Sequence, residues 1–289
     1  MSFNTPKVAV IPAAGKGTRF LPSTKVTPKE MHPLLNLPLI HHCLIELKNA
    51  GVEEAIIVSH KDKVALENYF KDHSELKTLL ENDGKTNLVQ ELTNIENLPK
   101  VTFAYQEEQL GLAHAIYSAK EQINGRDFYV LLPDEIFIPS NLSQNPCVEL
   151  KKEFEKTGAN TISLLKVDPS LVYQYGVART EETNGSLKIS EIVEKPKVEE
   201  APSNLILPGR YAFKNEILSY IEKTPKKNGE IQLTDSMILM GKDHGLTGVA
   251  TKCPRFDGGS ILGFLKANIY AAMQDEKLKT ELDSFLSSF

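Results

Sequence analysis

Two glycines, Gly15 and Gly17, follow closely on the apolar run Lys7 to Ile11 and on Pro12-Ala13-Ala14. A buried strand running into such a turn leaves backbone N–H groups open to a phosphate. Taken alone, the two glycines are also compatible with a mere tight turn. The residues after them carry more information: Arg19, Lys25 and Lys29 crowd one short stretch, and Pro22, Pro28 and Pro33 restrict its shape. A stiff loop with three cations invites a polyanion. The dinucleotide-binding fingerprint is excluded, because its third glycine would fall at Phe20. A Walker A loop is excluded too: Gly84-Lys85-Thr86 copies its tail, but Leu79 stands at the required first glycine.

Other side chains extend the chemistry. Asp134 ends Leu131-Leu132-Pro133-Asp134, just past the carboxyl end of an apolar run, which is where open α/β sheets bind ligands. A carboxylate there suits Mg²⁺, although a turn or helix cap would also account for it. Gln106 and Gly111 frame a stretch that opens a helix; an amide can pair with a hydrogen-bonding edge, and a glycine lets a flat ring approach the backbone. By itself Gln106 reads more readily as a surface strand-end residue than as a ligand. Glu194-Lys195-Pro196 closes another strand, a pattern that is usually only a turn. His41 and His42 are neighbours on a predicted helix, about 100° apart, and are poorly placed to chelate one metal. No Ser-His-Asp pattern is placed to serve a hydrolase.

These residues need a scaffold. Strand-like runs at Lys7 to Ile11, Glu54 to Ser59, Val101 to Tyr105 and Phe128 to Leu132 alternate with helical stretches at Ile40 to Ala50 and Ala113 to Gln122. That rhythm predicts βαβ units and parallel pairing. Lys61 to Asn97 is polar and reads as mostly helical. After about Phe154 short strands dominate: Asn160 to Val167, Gly176 to Thr180, Leu187 to Val193 and Leu205 to Phe213. Two helices, Lys214 to Lys223 and Ile231 to Lys242, then a strand at Leu246 to Ala250, precede C-terminal helices from Ile261 and Asp275.

The totals bound the function. The 289 residues, 41% hydrophobic and 25% charged, suffice for a large core without disulfides. Cys43, Cys147 and Cys253 are widely spaced and read as reduced thiols. A net charge of −5 argues against a general nucleic-acid binder. No apolar run approaches the ~18 residues of a membrane span, and the N-terminus reads as lacking a signal segment, so a cytoplasmic location is expected.

Taken together, Gly15-Lys16-Gly17-Thr18-Arg19-Phe20-Leu21-Pro22, Thr24-Lys25, Pro28-Lys29-Glu30-Met31 and Pro38-Leu39-Ile40 resemble the signature of the nucleotidyl sugar transferases, and further matches run through nearly the whole chain. The resemblance implies an α/β, Rossmann-like nucleotidyltransferase fold with a central mixed, mostly parallel sheet and a smaller β-rich sugar-binding portion. One domain is expected over residues 1–289: a nucleotide-binding half to about 150, a sugar-binding half over about 151–260, and C-terminal helices over about 261–289. It implies that Ala14, Gly15, Gly17, Thr18, Glu30, Gln106 and Gly111 bind the nucleotide, and that Arg19, Lys29 and Lys195 are catalytic cations. Gly176, Glu194 and Gly209 would hold a sugar. Asp134 and Asp257, the latter in Arg255-Phe256-Asp257-Gly258-Gly259, would share one Mg²⁺. The branch most resembled makes UDP-glucose and pyrophosphate from UTP and glucose 1-phosphate. Thymidylyl transfer from dTTP and a non-catalytic regulatory paralogue stay open as alternatives. Small-molecule substrates, no nucleic acid, no membrane and a homodimer or homotetramer are the implied partners.

Overall fold

The structure is a computed structural model that describes residues 2–288. Its first strand, β1 (Val8–Pro12), is buried along almost its whole length, as expected of a central strand covered on both faces. A small hairpin, β2 (Pro33–Leu34) and β3 (Leu37–Pro38), leads into α1 (Leu39–Ala50). Gly51, at φ 81°, ends that helix in the left-handed conformation that glycine tolerates best. β4 (Glu54–Ser59) follows, then the helical excursion α2 (Val64–Asn68), α3 (Ser74–Asn82) and α4 (Thr86–Glu96). β5 (Lys100–Tyr105), α5 (Leu112–Tyr117), α6 (Lys120–Ile123), β6 (Phe128–Leu131) and β7 (Glu135–Phe137) complete the first half.

The second half begins with α7 (Pro146–Thr157) and β8 (Thr161–Lys166). The hairpin β9 (Gly176–Thr183) and β10 (Ser186–Glu194) follows, then β11 (Leu205–Ile206) and β12 (Arg210–Phe213). Next come α8 (Ile217–Lys223), α9 (Leu233–His244), β13 (Thr247–Ala250) and β14 (Arg255–Asp257). The chain closes with α10 (Ile261–Ala272) and α11 (Glu276–Leu286).

Among the described residues, ten strands form one sheet in the order β11-β9-β10-β13-β8-β12-β6-β1-β4-β5. The sheet is mixed, as expected. Its parallel pairs are β6–β1–β4–β5 and β13–β8, and its other junctions are antiparallel, so parallel pairing dominates only the first half. The reason is β12: it arrives late in the chain, runs antiparallel to both β6 and β8, and joins the two halves into one continuous sheet. Alternation along β1 sends Val8 and Val10 into a core with α5, α8 and α9, and Ala9 and Ile11 into a second core with α1 and α7.

The short strands β2, β3, β7 and β14 are additions to the sequence expectation, and three longer elements differ from it. The helix expected over Ala113 to Gln122 is interrupted at Ser118 and Ala119, giving α5 and α6. The strand expected over Leu205 to Phe213 breaks at Gly209, whose φ of 80° takes the chain out of the extended region. α7 was not foreseen at all, although Asn145 caps it through Oδ1 accepting from Val148 N at 3.0 Å and Pro146 occupies its first turn.

Candidate active site

The carboxyl ends of β1, β4 and β5 open onto the glycine loop. Ala13 N–H donates to Val58 O at 2.7 Å, so the loop starts as a continuation of the sheet. Gly15 is exposed, and a Cβ there would meet open space. Gly17, at φ 62°, serves the turn instead: its carbonyl accepts from Thr24 Oγ1 at 2.8 Å. Two adjoining cavities share Ala14, Gly15, Lys29 and Gln109 as walls. One, of about 320 Å³, gathers the cations Lys16, Lys25, Lys29 and Lys63. The other, of about 340 Å³, is walled by Glu30, Gln106 and Gly111. Gly17 and Thr18 do not line either cavity.

Gln106 is a buried residue rather than a surface strand end. Its backbone N–H donates to Ser59 O at 3.0 Å, and its amide nitrogen donates to Gly111 O at 3.2 Å and lies 3.0 Å from His114 Nδ1. Gly111 has φ 94° and ψ 178°, a region essentially reserved for glycine. A Cβ there would stand 2.9 Å from Glu230 Cβ and from Ile231 O, because the segment before α9 folds over this loop.

The carboxylates meet at the centre. Asp134 lies on the turn after β6, with Lys29 Nζ 2.6 Å from its Oδ2. Burial, the largest single influence, pushes the Asp134 carboxyl up, but the charge and hydrogen bond of Lys29, with help from Arg19, hold it below its ordinary value. Burial pulls Lys29 down, and Asp134 and Glu30 together raise it above its ordinary value. β14 pairs antiparallel with β7 so that Asp257 faces Glu135, and Gly258 N–H donates to Asp134 O at 2.7 Å. A Cβ added at Gly259 would lie 3.0 Å from Asp257 Oδ1, 3.3 Å from Asp134 Oδ2 and 3.2 Å from Arg19 Nη1. Two carboxylates and a guanidinium therefore converge on one glycine. Among the described residues no cluster of three or more acidic, His or Cys side chains forms a cage. Two oxygen donors with room for phosphate oxygens and water fit Mg²⁺, which seldom takes an all-protein shell.

A third cavity, of about 370 Å³, shares Leu112, Leu132 and Asp134 with the glycine-loop side and extends to Gly176, Glu194 and Lys195. Glu194 Oε2 accepts from Thr234 Oγ1 at 2.8 Å, and Gly176 packs where a Cβ would meet both side chains. Lys195 is exposed at φ 45°, a conformation that costs a non-glycine residue about 1–3 kcal/mol. Its N–H is tied to Tyr175 O at 3.0 Å. Arg19 lines this cavity together with Asp257, so it faces the junction rather than the glycine loop. Gly209 stands behind Leu132, where a Cβ would come within 2.8 Å of that side chain; it serves packing rather than the cavity wall.

Two further participants were given no role in the sequence reading: Lys63, which carried no signal, and Arg255, which opens the Asp257 motif. Lys63 donates to Glu30 Oε2 at 2.9 Å and to Ala13 O at 2.5 Å, bracing the loop. Arg255 donates from Nε and Nη2 to the two carboxylate oxygens of Glu135 and from Nη1 to Tyr175 OH at 2.9 Å. Each arises from pairings across the fold. The decoys behave as expected: His41 Nδ1 lies 2.8 Å from Tyr69 OH, whereas His42 Nε2 lies 3.4 Å from Leu34 O. All three cysteines are free and buried, and burial pushes the thiols of Cys43 and Cys253 up to about 12.

Comparison with known proteins places this geometry. A family model described as nucleotidyl transferase matches residues 8–268. The chain is 38% identical over 285 residues to UTP–glucose-1-phosphate uridylyltransferase 1 of Staphylococcus saprophyticus, covering 98% of each. It is 40% identical over 283 residues to UTP–glucose-1-phosphate uridylyltransferase of Staphylococcus haemolyticus, covering 97% of each. A structure of UTP-bound UGPase from Acinetobacter baumannii superposes with a TM-score of 0.89 at 37% identity, over 97% of this chain and 98% of that one. A UDP-glucose pyrophosphorylase complexed with UDP-glucose gives 0.84 at 33% identity, over 93% and 100%.

Proposed function

The chain belongs to the nucleotidyl transferase family, and from that premise we propose how its own residues carry out the reaction its relatives are named for. It is a UTP–glucose-1-phosphate uridylyltransferase. A phosphate oxygen of glucose 1-phosphate attacks the α-phosphorus of UTP, the bond from that phosphorus to the bridging oxygen breaks, and pyrophosphate leaves with the electron pair. The observation that carries the assignment is the position of Asp134, on the wall shared by the glycine-loop cavity and the Glu194 cavity.

In this reading Gln106, Gly111, Ala14 and Glu30 hold the nucleoside, while Gly15 and the Lys16–Lys25–Lys29–Lys63 cavity receive the β- and γ-phosphates. Gly17 and Thr18 keep the loop in shape. Gly176 and Glu194 receive the sugar, and Lys195 its phosphate, with Gly209 setting the wall behind. Asp134 and Asp257 would hold Mg²⁺, which would supply neutralisation of phosphate charge. Arg19 and Lys29 approach the junction from opposite cavities and offset the repulsion between two polyanions. No side-chain base is needed, because the attacking phosphate is already ionised.

Three wider expectations belong to the same reading. The two halves act as one domain, tied by β12. The protein works in the cytoplasm; among the described residues no helix is long and apolar enough to cross a membrane. It assembles as a homodimer or homotetramer, an expectation supported by α10, which leaves Ile261, Leu262, Leu265 and Ile269 exposed.

Pyrophosphate release with Mg²⁺ and glucose 1-phosphate, comparing UTP with dTTP, CTP and ATP, tests the assignment. Strong preference for UTP is expected. Preference for dTTP would move the protein to thymidylyl transfer, and no turnover in folded protein would favour a regulatory role.

A further inference from the structure

The largest fully buried side chain in the described molecule is a cation, Arg210. Its Nε donates to Glu46 Oε2 at 2.9 Å and its Nη2 to Glu46 Oε1 at 2.8 Å, a fork-to-fork pair across 164 positions. The guanidinium also lies 4.8 Å from the centre of the Phe137 ring. Its remaining bonds go to main chain: Nη1 to Leu132 O at 2.8 Å and Nη2 to Glu135 O at 2.7 Å. Those carbonyls are the first and last of the turn Leu132-Pro133-Asp134-Glu135, which is itself closed by Glu135 N–H donating to Leu132 O at 3.2 Å. Asp134 is the third residue of that turn.

We propose that the Glu46–Arg210 pair fixes the Asp134 turn, so that Arg210 is a positioning residue for the carboxylate at the junction of the two substrate cavities. The proposal rests on the reading of Asp134 as a metal ligand. Stability alone gives little reason for the pair, since burying two charges carries a desolvation penalty and apolar replacements are often neutral or better. Geometry gives a reason. A planar fork holds both ends of the turn at fixed separation, which a lysine ammonium, a point donor, cannot reproduce. Glu46 anchors the fork to α1, the helix entered from the Lys29 segment through the β2–β3 hairpin. Leu39 N–H, at the start of that helix, donates to His32 O at 3.1 Å. Lys29 and Asp134 are thus registered from both sides: directly at 2.6 Å, and indirectly through α1 and Arg210.

Mn²⁺ binding in the presence of UTP, followed by electron paramagnetic resonance, separates these possibilities. Arg210→Lys and the doubly apolar Glu46→Leu/Arg210→Met are compared with the unaltered protein and with Asp134→Asn. Circular dichroism melts establish which variants fold. Arg210→Lys is expected to weaken Mn²⁺ binding about 10–100-fold, as for lost partners of metal ligands, while UTP affinity in EDTA stays within about twofold. The double variant is expected to fold and to show the same selective loss; if either variant fails to fold, the other decides. A folded variant that binds Mn²⁺ normally overturns the proposal, and so does an equal loss of metal-free UTP binding. Should Asp134→Asn itself bind Mn²⁺ normally, the metal reading fails first, and the two failures are told apart.

Discussion

At the scale of single residues, charge at the junction is the quantity to test. Lys29 and Asp134 are largely shielded from solvent, with side-chain exposures of 19% and 24%. Truncation of Lys29 to Ala removes a preorganised cation and should lower kcat at least ~10²-fold, measured by pyrophosphate release. Turnover near normal would take Lys29 out of the mechanism. The pH profile gives an independent check. Lys29 is held above its ordinary value of 10.5 and Asp134 below 3.8, so neither changes charge between about pH 5 and 9. The acid limb of kcat/KM for glucose 1-phosphate should therefore follow the second ionisation of the sugar phosphate, near pH ~6. An acid limb that shifts in the Lys29→Ala protein would contradict this. For stability the sign is set by the depressed Asp134 value: its contribution is full above pH 3.8 and is lost as pH falls through the lowered pKa.

At the scale of elements, the Gln106–Gly111 cavity, proposed above to take the base, depends on two loops that touch. Ile231 N–H donates to Leu110 O at 2.7 Å, and Ala113 N–H to Ile231 O at 3.3 Å, which brings the approach to α9 against the start of α5. Gly111→Ala would meet both a glycine-only backbone conformation and the Glu230–Ile231 segment. An increase of at least about tenfold in KM for UTP is expected, with metal binding kept; an unchanged KM would show that this contact yields freely. Most elements were legible because their periods are strong: β4 has its predicted bounds, and α1 begins one residue early. α5 and α6 were merged because propensity does not register a local interruption. β7 and β14 are three residues each and stabilise one another, so neither carries a signal alone.

At the scale of the whole molecule, α10 is the feature a monomer does not explain. Among its residues only Ala267 is buried, and Phe264 and Ala271 pack against the Leu34–Leu39–Ile136 cluster. The opposite face carries Ile261, Leu262, Leu265 and Ile269, exposed by 67, 61, 55 and 44%. A helix apolar on both faces is usually covered on both. Light scattering after gel filtration should report a dimer or larger species, and Leu262→Glu/Leu265→Glu should shift it to monomer. A monomeric unaltered protein would remove the oligomer from the reading.

The sequence by itself determined the class of chemistry. Glycines after a strand, cations on a proline-restricted loop and an acid at a strand end are local patterns, and local patterns survive without coordinates. Lys29, Gln106 and Gly111 line one cavity and Glu194 lines another, and Asp134 borders both. Tertiary structure alone decided which charges meet. Lys29 reaches Asp134 across 105 positions and Arg210 reaches Glu46 across 164, distances at which no spacing rule applies. It also separated residues that looked equivalent in sequence: Gly15 faces a cavity while Gly17 and Gly209 shape the backbone behind one. The physical reason is the late insertion of β12 between β6 and β8, which carries Arg210 beneath the Asp134 turn and joins the second half of the sheet to the first.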